Sequence, residues 1–330
     1  LIPNTIYYVR AYATNSIGTA FGEEVSFTTA PVSLGTITTT QPTSIARTTA
    51  ISGGEITFDG GGEITQRGVC WDTSPEPDTS DFHTKNGTGK GEFESTITGL
   101  SQGTKYYVRA YAINNAGIAY GNQLCFNTKI ADIQGNLYNT VSIGSQVWMS
   151  ENLRTTRYNN NTLIPNVKEN ADWINLTTPG YCWFANDISK ANWGALYNWY
   201  TVNTGKLCPA GWHIPTDSEF KTMELNLDML PDQVDSWYWR GTDQGNRIKN
   251  LTGWKDGENG TNSTGFSALP YGYRYGGTGS FDGSDMLIYW WSSEYNKDYA
   301  FYRRVDGNEP KIYRFYTSKK GGKYVRCIKN

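Results

Sequence analysis

The sequence has no block of basic residues and no long apolar run. Its 29 lysines and arginines nearly balance its 31 aspartates and glutamates, which gives a net charge of -2. Nucleic-acid-binding domains usually carry a basic patch, so the sequence predicts no nucleic-acid partner. No segment approaches the roughly 18 consecutive apolar residues that a membrane-spanning helix needs. We therefore expect no membrane span in this chain.

Histidine and cysteine are also scarce. His83 and His213 are the only histidines and lie far apart in the sequence, so no histidine pair predicts a zinc site. The five cysteines are Cys70, Cys125, Cys182, Cys208 and Cys327. An odd number leaves at least one thiol outside any internal disulfide.

The amino terminus lacks a start methionine and a signal peptide. The opening segment, "LIPNTIYYVRAY", begins in the middle of an alternating pattern. We therefore expect this chain to be part of a longer protein whose signal or membrane anchor lies outside it.

Aromatic residues and glycine are abundant. Aromatic residues make up 14% of the chain, and there are 36 glycines. This composition favours short strands, many turns and ring surfaces that can stack on a ligand.

An internal repeat divides the first part of the chain. Residues 1–29 and 100–128 match at about half of their positions, and both contain "YYVRAYA". Alternation in this segment, an Asn-x-x-Gly turn and a second alternating segment predict a two-stranded hairpin. Residues 1–31 are thus expected to be the hairpin of a partial β-sandwich, and residues 32–130 a complete one.

The signature at 100–112 resembles fibronectin type III and immunoglobulin-like modules of bacterial surface proteins, which implies a spacer. In this resemblance Tyr106 and Tyr111 brace the sandwich. Cys70 and Cys125 fall on two predicted strands and could cross-link the sheets, although Cys125 aligns with Ser26 in the partial copy.

A different domain is expected over residues 131–330, where tryptophan and asparagine become more frequent. The segment "GNLYNTVSIGSQVWM" predicts a hairpin that points Trp148 and Met149 inward. A helix is predicted in "IPTDSEFKTMELNLDML", where Thr216 and Glu219 form a capping box and Pro231 stops the helix. Phe220, Met223, Leu227 and Leu230 lie on its apolar face.

A reactive Cys208–His213 pair is the competing interpretation of the segment before this helix. A cysteine nucleophile needs an orienting third group and a cleft, which spacing cannot supply. We favour a structural role, with His213 packed beside Trp212.

Motifs along this second domain resemble the Fibrobacter major paralogous domain family, common in surface and secreted proteins of Bacteroidota and related bacteria. The matching segments are "GYCWF", "GALYNWY", "GKLCPAGWHIPTDSEF", "GFSALPYGYRYGG", "WWSSEY" and "YVRCIKN". The resemblance implies an α+β C-type lectin-like fold after the all-β sandwich, with both ends of the domain close together. It also implies a Cys208–Cys327 disulfide, which leaves Cys182 as a buried thiol.

We expect function in residues 271–320, where tyrosine, arginine, asparagine and aspartate alternate densely. Rigid rings provide contact area at low entropic cost, and polar neighbours give direction. At least one of Trp290 and Trp291 is assigned to the core. The exposed ligand-binding candidates are Tyr295, Asn296, Asp298, Tyr299, Arg303, Asp306, Asn308, Tyr313, Arg314 and Tyr316.

The same region resembles the variable part of lectin-fold proteins that retroelements diversify. No cofactor is predicted. Two loops, at 256–265 and 280–286, offer oxygen ligands for calcium, but neither has EF-hand spacing and both are typical of ordinary turns.

The leading functional hypothesis is a non-enzymatic adhesin or ligand-binding protein that binds a host or bacterial surface protein or glycan. We expect it to be extracellular or attached to the outer membrane at the cell surface. The first alternative is an enzyme related to the formylglycine-generating enzymes, for which only Cys182 remains as a reactive cysteine. The second is a structural subunit of a surface fibre, with an interface near the partial first repeat.

Overall fold

The computed structural model describes residues 1–330 and divides them into two compact units. The first unit contains residues 1–100 and 105–126, and the second contains residues 101–104 and 127–330. No helix in either unit has the length and apolar character needed to cross a lipid bilayer.

The first unit consists of strands only. They are β1 (Ile6–Thr14), β2 (Thr19–Thr28), β3 (Thr36–Thr43), β4 (Ala50–Phe58), β5 (Gln66–Asp72), β6 (Phe82–His83), β7 (Gly91–Ile97), β8 (Lys105–Asn114), β9 (Gly117–Tyr120) and β10 (Leu124–Asn127).

Two sheets form the sandwich of this unit. One has the order β3-β4-β7 and the other β10-β8-β5-β6, with β9 also paired to β8. Strand β8 is central because its inward residues Val108 and Ala110 are fully buried between the sheets. The first unit therefore contains an all-β sandwich, as expected.

Tyr111 braces the sandwich, as expected from the resemblance. Its ring is fully buried, and its hydroxyl donates a hydrogen bond of 2.7 Å to the carbonyl of Thr84 while accepting one from Gln66. Tyr106 is also buried and stacks on Phe126. The cross-link considered between Cys70 and Cys125 is absent: Cys70 is a buried thiol and Cys125 an exposed one.

The amino-terminal hairpin β1–β2 pairs only with itself. Tyr8 and Tyr12 are 68% and 72% exposed, and Phe21 is 61% exposed. In the complete copy the corresponding strand β8 lies within one sheet and packs against the other, whereas the hairpin leaves these apolar rings uncovered by its own unit.

The second unit mixes short strands and helices. Its strands are β11 (Ile130–Ala131), β12 (Leu137–Tyr138), β13 (Thr140–Ile143), β14 (Gln146–Met149), β15 (Tyr181–Cys182), β16 (Leu196–Tyr197), β17 (Trp212–His213), β18 (Tyr238–Arg240), β19 (Tyr271–Arg274), β20 (Phe281–Ser284), β21 (Leu287–Asn296), β22 (Tyr299–Asp306), β23 (Ile312–Ser318) and β24 (Ile328–Lys329). Its α-helices are α1 (Asn170–Asn175), α2 (Trp199–Val202), α3 (Asp217–Leu225) and α4 (Gln244–Ile248), with 3-10 turns at Phe184–Asn186, Ile188–Trp193 and Lys255–Gly257.

A six-stranded sheet, β18-β23-β22-β21-β19-β20, forms the largest layer of this unit. A four-stranded sheet, β13-β14-β24-β17, joins the two ends of the domain because Trp148 of β14 pairs with Ile328 of β24. Trp148 and Met149 are buried, as predicted. Trp290 and Trp291 are both buried, where at least one of them was expected in the core. The adjacent ends of the domain agree with what the resemblance implies, while the C-type lectin-like assignment stays a prediction.

Helix α3 starts where the sequence predicts and ends early. The Thr216 hydroxyl accepts from the backbone N–H of Glu219, and the Glu219 carboxylate accepts from the N–H of Thr216, which completes the capping box. Asp228 adopts a left-handed φ of 61°, which ends the helical path before Pro231. Leu230 is consequently 56% exposed, so its assignment to the apolar face is wrong, and Met229 is buried instead.

Candidate functional site

The segment before helix α3 is structural. Cys208 and Cys327 form a disulfide, as the resemblance implied. The His213 ring lies 2.8 Å from the Glu219 carboxylate and 2.7 Å from the side-chain oxygen of Asn330. Cys208 is therefore held in a disulfide, and His213 contacts two polar side chains. The two residues do not form a nucleophile–base pair.

Two of the ten predicted ligand-binding residues belong instead to a buried ionic network. Arg303 is 1% exposed and donates to Asp217 and Glu224 at 2.7 Å each. Arg314 is 6% exposed and donates to Asp217 at 2.7 Å, while its guanidinium stacks 4.0 Å from the Trp237 ring. The expectation that these arginines are exposed is wrong.

Strand register explains this error. Arg303 of β22 is directly opposite Arg314 of β23, so both side chains leave the sheet on the face that helix α3 covers. Burial alone would raise the pKa of the Asp217 carboxyl, but the hydrogen bond from Arg314 and the charge of Arg303 outweigh it and hold this pKa below its ordinary value. The network fastens α3 to the sheet.

Asp306 and Tyr313 are also less accessible than expected. Asp306 is 8% exposed and paired with Arg304, so the expectation of an exposed carboxylate is wrong. Tyr313 is half-buried and packs against Tyr302 and Trp239.

The other six candidates are exposed, but they do not form one surface. Tyr295, Asn296, Asp298 and Tyr299 share the tip of the β21–β22 hairpin, where the Tyr295 ring packs on Trp199. Tyr316 joins them because its ring lies 5.4 Å from that of Tyr299. Asn308 lies beyond the opposite end of β22, and lines a separate cavity that the side chains of Lys255 and Met286 also border.

Beside this hairpin tip lies a groove of about 870 Å³, which is within the range of small-ligand sites. We call it the tyrosine groove. It is bordered by segment 273–277, strand β22, strand β23 and segment 317–323. Its rings come from Tyr273, Tyr275, Tyr289, Tyr299, Tyr302, Phe315 and Tyr316.

Lys323 lies at the floor of the tyrosine groove. Its side chain is 4% exposed, and its ammonium lies 4.5 Å from the Tyr289 ring centre, 4.8 Å from that of Trp291 and 4.9 Å from that of Tyr302. Burial, and secondarily the charge of Arg304, lowers the pKa of Lys323 to about 7.

The sequence predicts only the edge of this groove. Tyr299 and Tyr316 were predicted, whereas Tyr273, Tyr275, Tyr302 and Lys323 were missed. The alternating "YGYRY" at 271–275 lies inside the segment expected to carry function and could have pointed to Tyr273 and Tyr275. Lys323 has no such signal, because only the fold brings residues 273, 302 and 323 together.

Neither loop considered for calcium brings three acidic side chains together. The structure contains no cluster of three or more His, Cys, Asp or Glu residues able to hold a metal ion. Within the loop at 256–265, backbone hydrogen bonds from Gly260 to Asn250 and from Thr261 to Asn246 hold the chain against the end of helix α4.

The Cys182 thiol is buried and unpaired, as expected. Burial raises its pKa to about 12, and the nearby charge of Arg274 only partly offsets this. Since the thiolate is the reactive form, a thiol with this pKa is a poor nucleophile at neutral pH.

Comparison with known proteins gives one family match. A sequence model of the Fibrobacter succinogenes major domain matches residues 141–329, which is more than half of the chain. No curated protein matches the chain significantly.

Several solved structures resemble a part of the chain at low overall similarity. The sensor domain of the anti-sigma factor RsgI4 from Pseudobacteroides cellulosolvens is 17% identical, with a TM-score of 0.23, and the match covers 29% of this chain and 96% of that one. Fibronectin domains FN1-FN3 of chicken CNTN1 are 16% identical, with a TM-score of 0.24, over 39% of this chain and 44% of that one. Three titin domains are 21% identical, with a TM-score of 0.23, over 37% of this chain and 40% of that one.

Proposed function

The chain belongs to the Fibrobacter succinogenes major domain family, and we propose that it is a non-enzymatic ligand-binding protein of the bacterial cell surface. The second unit binds a protein or glycan ligand, and the sandwich serves as a spacer. The tyrosine groove carries this proposal. It combines ring faces with hydroxyl groups in a concave site of ligand size, and its lining contains no carboxylate, histidine or cysteine.

The groove and the adjacent hairpin tip form one continuous candidate surface. Tyr299 is 49% exposed and Tyr316 is 39% exposed, so a bound ligand can cover both rings. Tyr295, Asn296 and Asp298 extend this surface along the β21–β22 tip. Aromatic anchors beside adaptable polar groups are the composition of efficient binding surfaces.

The enzyme alternative depends on Cys182, because Cys208 and Cys327 are joined in the disulfide. Cys182 is fully buried, and the high pKa of its thiol disfavours the thiolate. These properties support binding without turnover. Cys182→Ser should therefore leave the function unchanged, and loss of function in a folded Cys182→Ser protein would favour the enzyme.

One observation favours a fibre subunit as a second candidate function. The β1–β2 hairpin exposes Tyr8, Tyr12 and Phe21 within its own unit, with Tyr12 and Phe21 directly opposite each other, and exposed apolar residues of this kind often mark an interaction site. Self-association in sedimentation velocity that Tyr12→Lys abolishes would support the fibre role. A monomer at all concentrations would contradict it.

An array of glycans and surface proteins tests the binding proposal. We expect the full chain to bind at least one array member and Tyr299→Ala/Tyr316→Ala to lose most of that binding. Tyr8→Ala/Tyr12→Ala is the matched control, since it also removes two exposed tyrosines but lies in the sandwich unit. Equal binding by the groove variant and the parent would refute the site.

We also propose diversification of the hairpin region by a retroelement. It requires a near-copy of the coding DNA for this region close to the gene. Absence of such a template repeat would end that part of the proposal and leave the binding surface unaffected.

A further inference from the structure

The charged side chains of the tyrosine groove indicate which class of ligand it binds. Besides Lys323, the cationic residues of its lining are Arg274 and Lys320. The lining contains no aspartate or glutamate. Its charged side chains are therefore all of one sign, which favours an anionic ligand.

Arg274 and Lys320 are already engaged. The Arg274 guanidinium donates to the carbonyls of Gly279, Val167 and Lys168 and to the side chain of Asn170. The Lys320 ammonium donates to the carbonyl of Ile174 at 2.7 Å. Both cations thus hold segments of the fold in place.

Lys323 differs from them because its ammonium donates no hydrogen bond within the protein and faces no carboxylate. Aromatic faces attract a cation, but they do not replace the hydrogen bonds that an ammonium makes in water. A buried cation without a hydrogen-bonding counter-ion disfavours folding. Folding alone does not account for a lysine at this position, whereas a bound anion would.

The approach to the ammonium is open on the side of Gly321. A Cβ at this residue would lie 3.3 Å from Lys323 Nζ, so the absence of a side chain keeps the space next to the ammonium free. A single available ammonium matches a singly charged group such as a carboxylate. Phosphate sites usually combine several donors or backbone N–H groups.

The rest of the lining indicates what carries the carboxylate. Tyr275, Tyr299 and Tyr316 present both ring faces and hydroxyls at the rim, and the side chains of Thr317 and Ser318 add further hydroxyls. A sugar ring has an apolar C–H face and polar edges, so it can stack on the rings while its hydroxyls bond to the rim.

We propose that Lys323 is the anion-recognition residue of the tyrosine groove and that the ligand is an acidic sugar whose carboxylate accepts hydrogen bonds from the Lys323 ammonium. This inference rests on the proposed binding function. It includes no covalent step, because the lining lacks a carboxylic acid or histidine that could assist Schiff-base formation.

The test uses short oligosaccharides ending in glucuronate, galacturonate or sialate, each paired with its carboxyl-reduced neutral counterpart. Titration calorimetry of the full chain at pH 6 measures both members of each pair. We expect at least one acidic member to bind about 10-fold or more tightly than its neutral counterpart, as is typical of a charge-assisted hydrogen bond.

Lys323→Met should bring the ratio of acidic to neutral affinity close to one. Lys190→Met is the matched control, since the Lys190 ammonium also lies over aromatic rings, 4.9 Å from Phe184 and 4.8 Å from Trp193, but outside the groove. It should keep the preference. The thermal midpoint of Lys323→Met confirms that the variant is folded.

The possible results distinguish a failure of this inference from a failure of the proposed binding function. Equal binding of acidic and neutral sugars that Tyr299→Ala/Tyr316→Ala still abolishes would overturn the role of Lys323 and leave the binding function standing. If no oligosaccharide binds, or if peptides with a free carboxyl terminus bind through Lys323 instead, the acidic sugar is the wrong class. Preference for the acidic member in Lys323→Met would also refute the inference.

Discussion

Lys323 connects stability and function at the scale of one residue. Its ammonium is enclosed by the rings of Tyr273, Tyr289 and Tyr302. Burial lowers the pKa of Lys323 most, and Arg304 is the charged residue that lowers it further. Burial raises the pKa of all three tyrosines, so they stay neutral at neutral pH. Lys323 is therefore the group of this cage that titrates near pH 7.

We predict that Lys323→Met is more stable than the parent, and that the difference depends on pH. The folded parent loses the Lys323 proton at a pKa of about 7, whereas the unfolded chain keeps it up to about 10.4. Between these values the unfolded state binds more protons, so the free energy of unfolding of the parent rises with pH.

The advantage of the variant should be largest below pH 7 and shrink by about 1.4 kcal/mol per pH unit above it. Urea unfolding of both proteins at pH 6 and pH 9 measures this. A variant that is less stable than the parent at pH 6 would show that the cage stabilises the cation, contrary to this account.

The three free thiols should differ sharply in reactivity. Cys125 is exposed, while burial raises the pKa of both Cys70 and Cys182 to about 12. Brief treatment of the native protein with iodoacetamide at pH 7.5 should label Cys125 alone, as read by peptide mass spectrometry. Rapid labelling of Cys182 would reopen the enzyme alternative.

At the scale of elements, one carboxylate of helix α3, that of Asp217, bonds to both strand β22 and strand β23. Asp217 bonds to both Arg303 and Arg314 and is 3% exposed. Asp217→Asn leaves two buried guanidinium groups with reduced compensation, so we expect a loss of roughly 3 to 5 kcal/mol in the free energy of unfolding.

Asp235→Asn is the control for this prediction. Lys221 pairs with both Asp217 and Asp235, but the Asp235 side chain is 76% exposed, so its replacement should change stability little. Urea unfolding followed by tryptophan fluorescence compares the two variants. Equal effects would mean that the buried network does not hold the helix to the sheet.

The start of α3 could be predicted from the sequence, and its surroundings could not. Thr216 and Glu219 cap the helix through contacts three residues apart, which a sequence displays directly. The partners of Arg303 and Arg314 lie on α3, many residues away, so alternation along β22 and β23 alone could not show which face the helix covers. Exposed and buried arginines therefore looked alike in the sequence.

At the scale of the molecule, the Cys208–Cys327 disulfide closes a loop across most of the second unit. The two residues are 119 positions apart. In the chain-entropy account, removing such a cross-link with Cys208→Ser/Cys327→Ser should lower the free energy of unfolding by about 4 to 5 kcal/mol. Thermal unfolding of the double variant beside Cys125→Ser checks this, and equal midpoints would contradict it.

The presence of a sandwich and of a second, different domain could be predicted from the sequence, because repeats and the order of motifs are visible along the chain. The repeat at 1–29 and 100–128 revealed the sandwich, and the ordered motifs after residue 131 revealed the family. The tyrosine groove was not accessible in this way, because Ile174, Tyr273, Tyr316 and Lys323 become neighbours only after folding.

Ligand binding in the tyrosine groove is tested most directly by a crystal structure of the full chain with the tightest ligand from the array. We expect the ligand to lie in the tyrosine groove, in contact with Tyr299, Tyr316 and the ammonium of Lys323. A ligand bound elsewhere, with these three side chains free of contact, would contradict it.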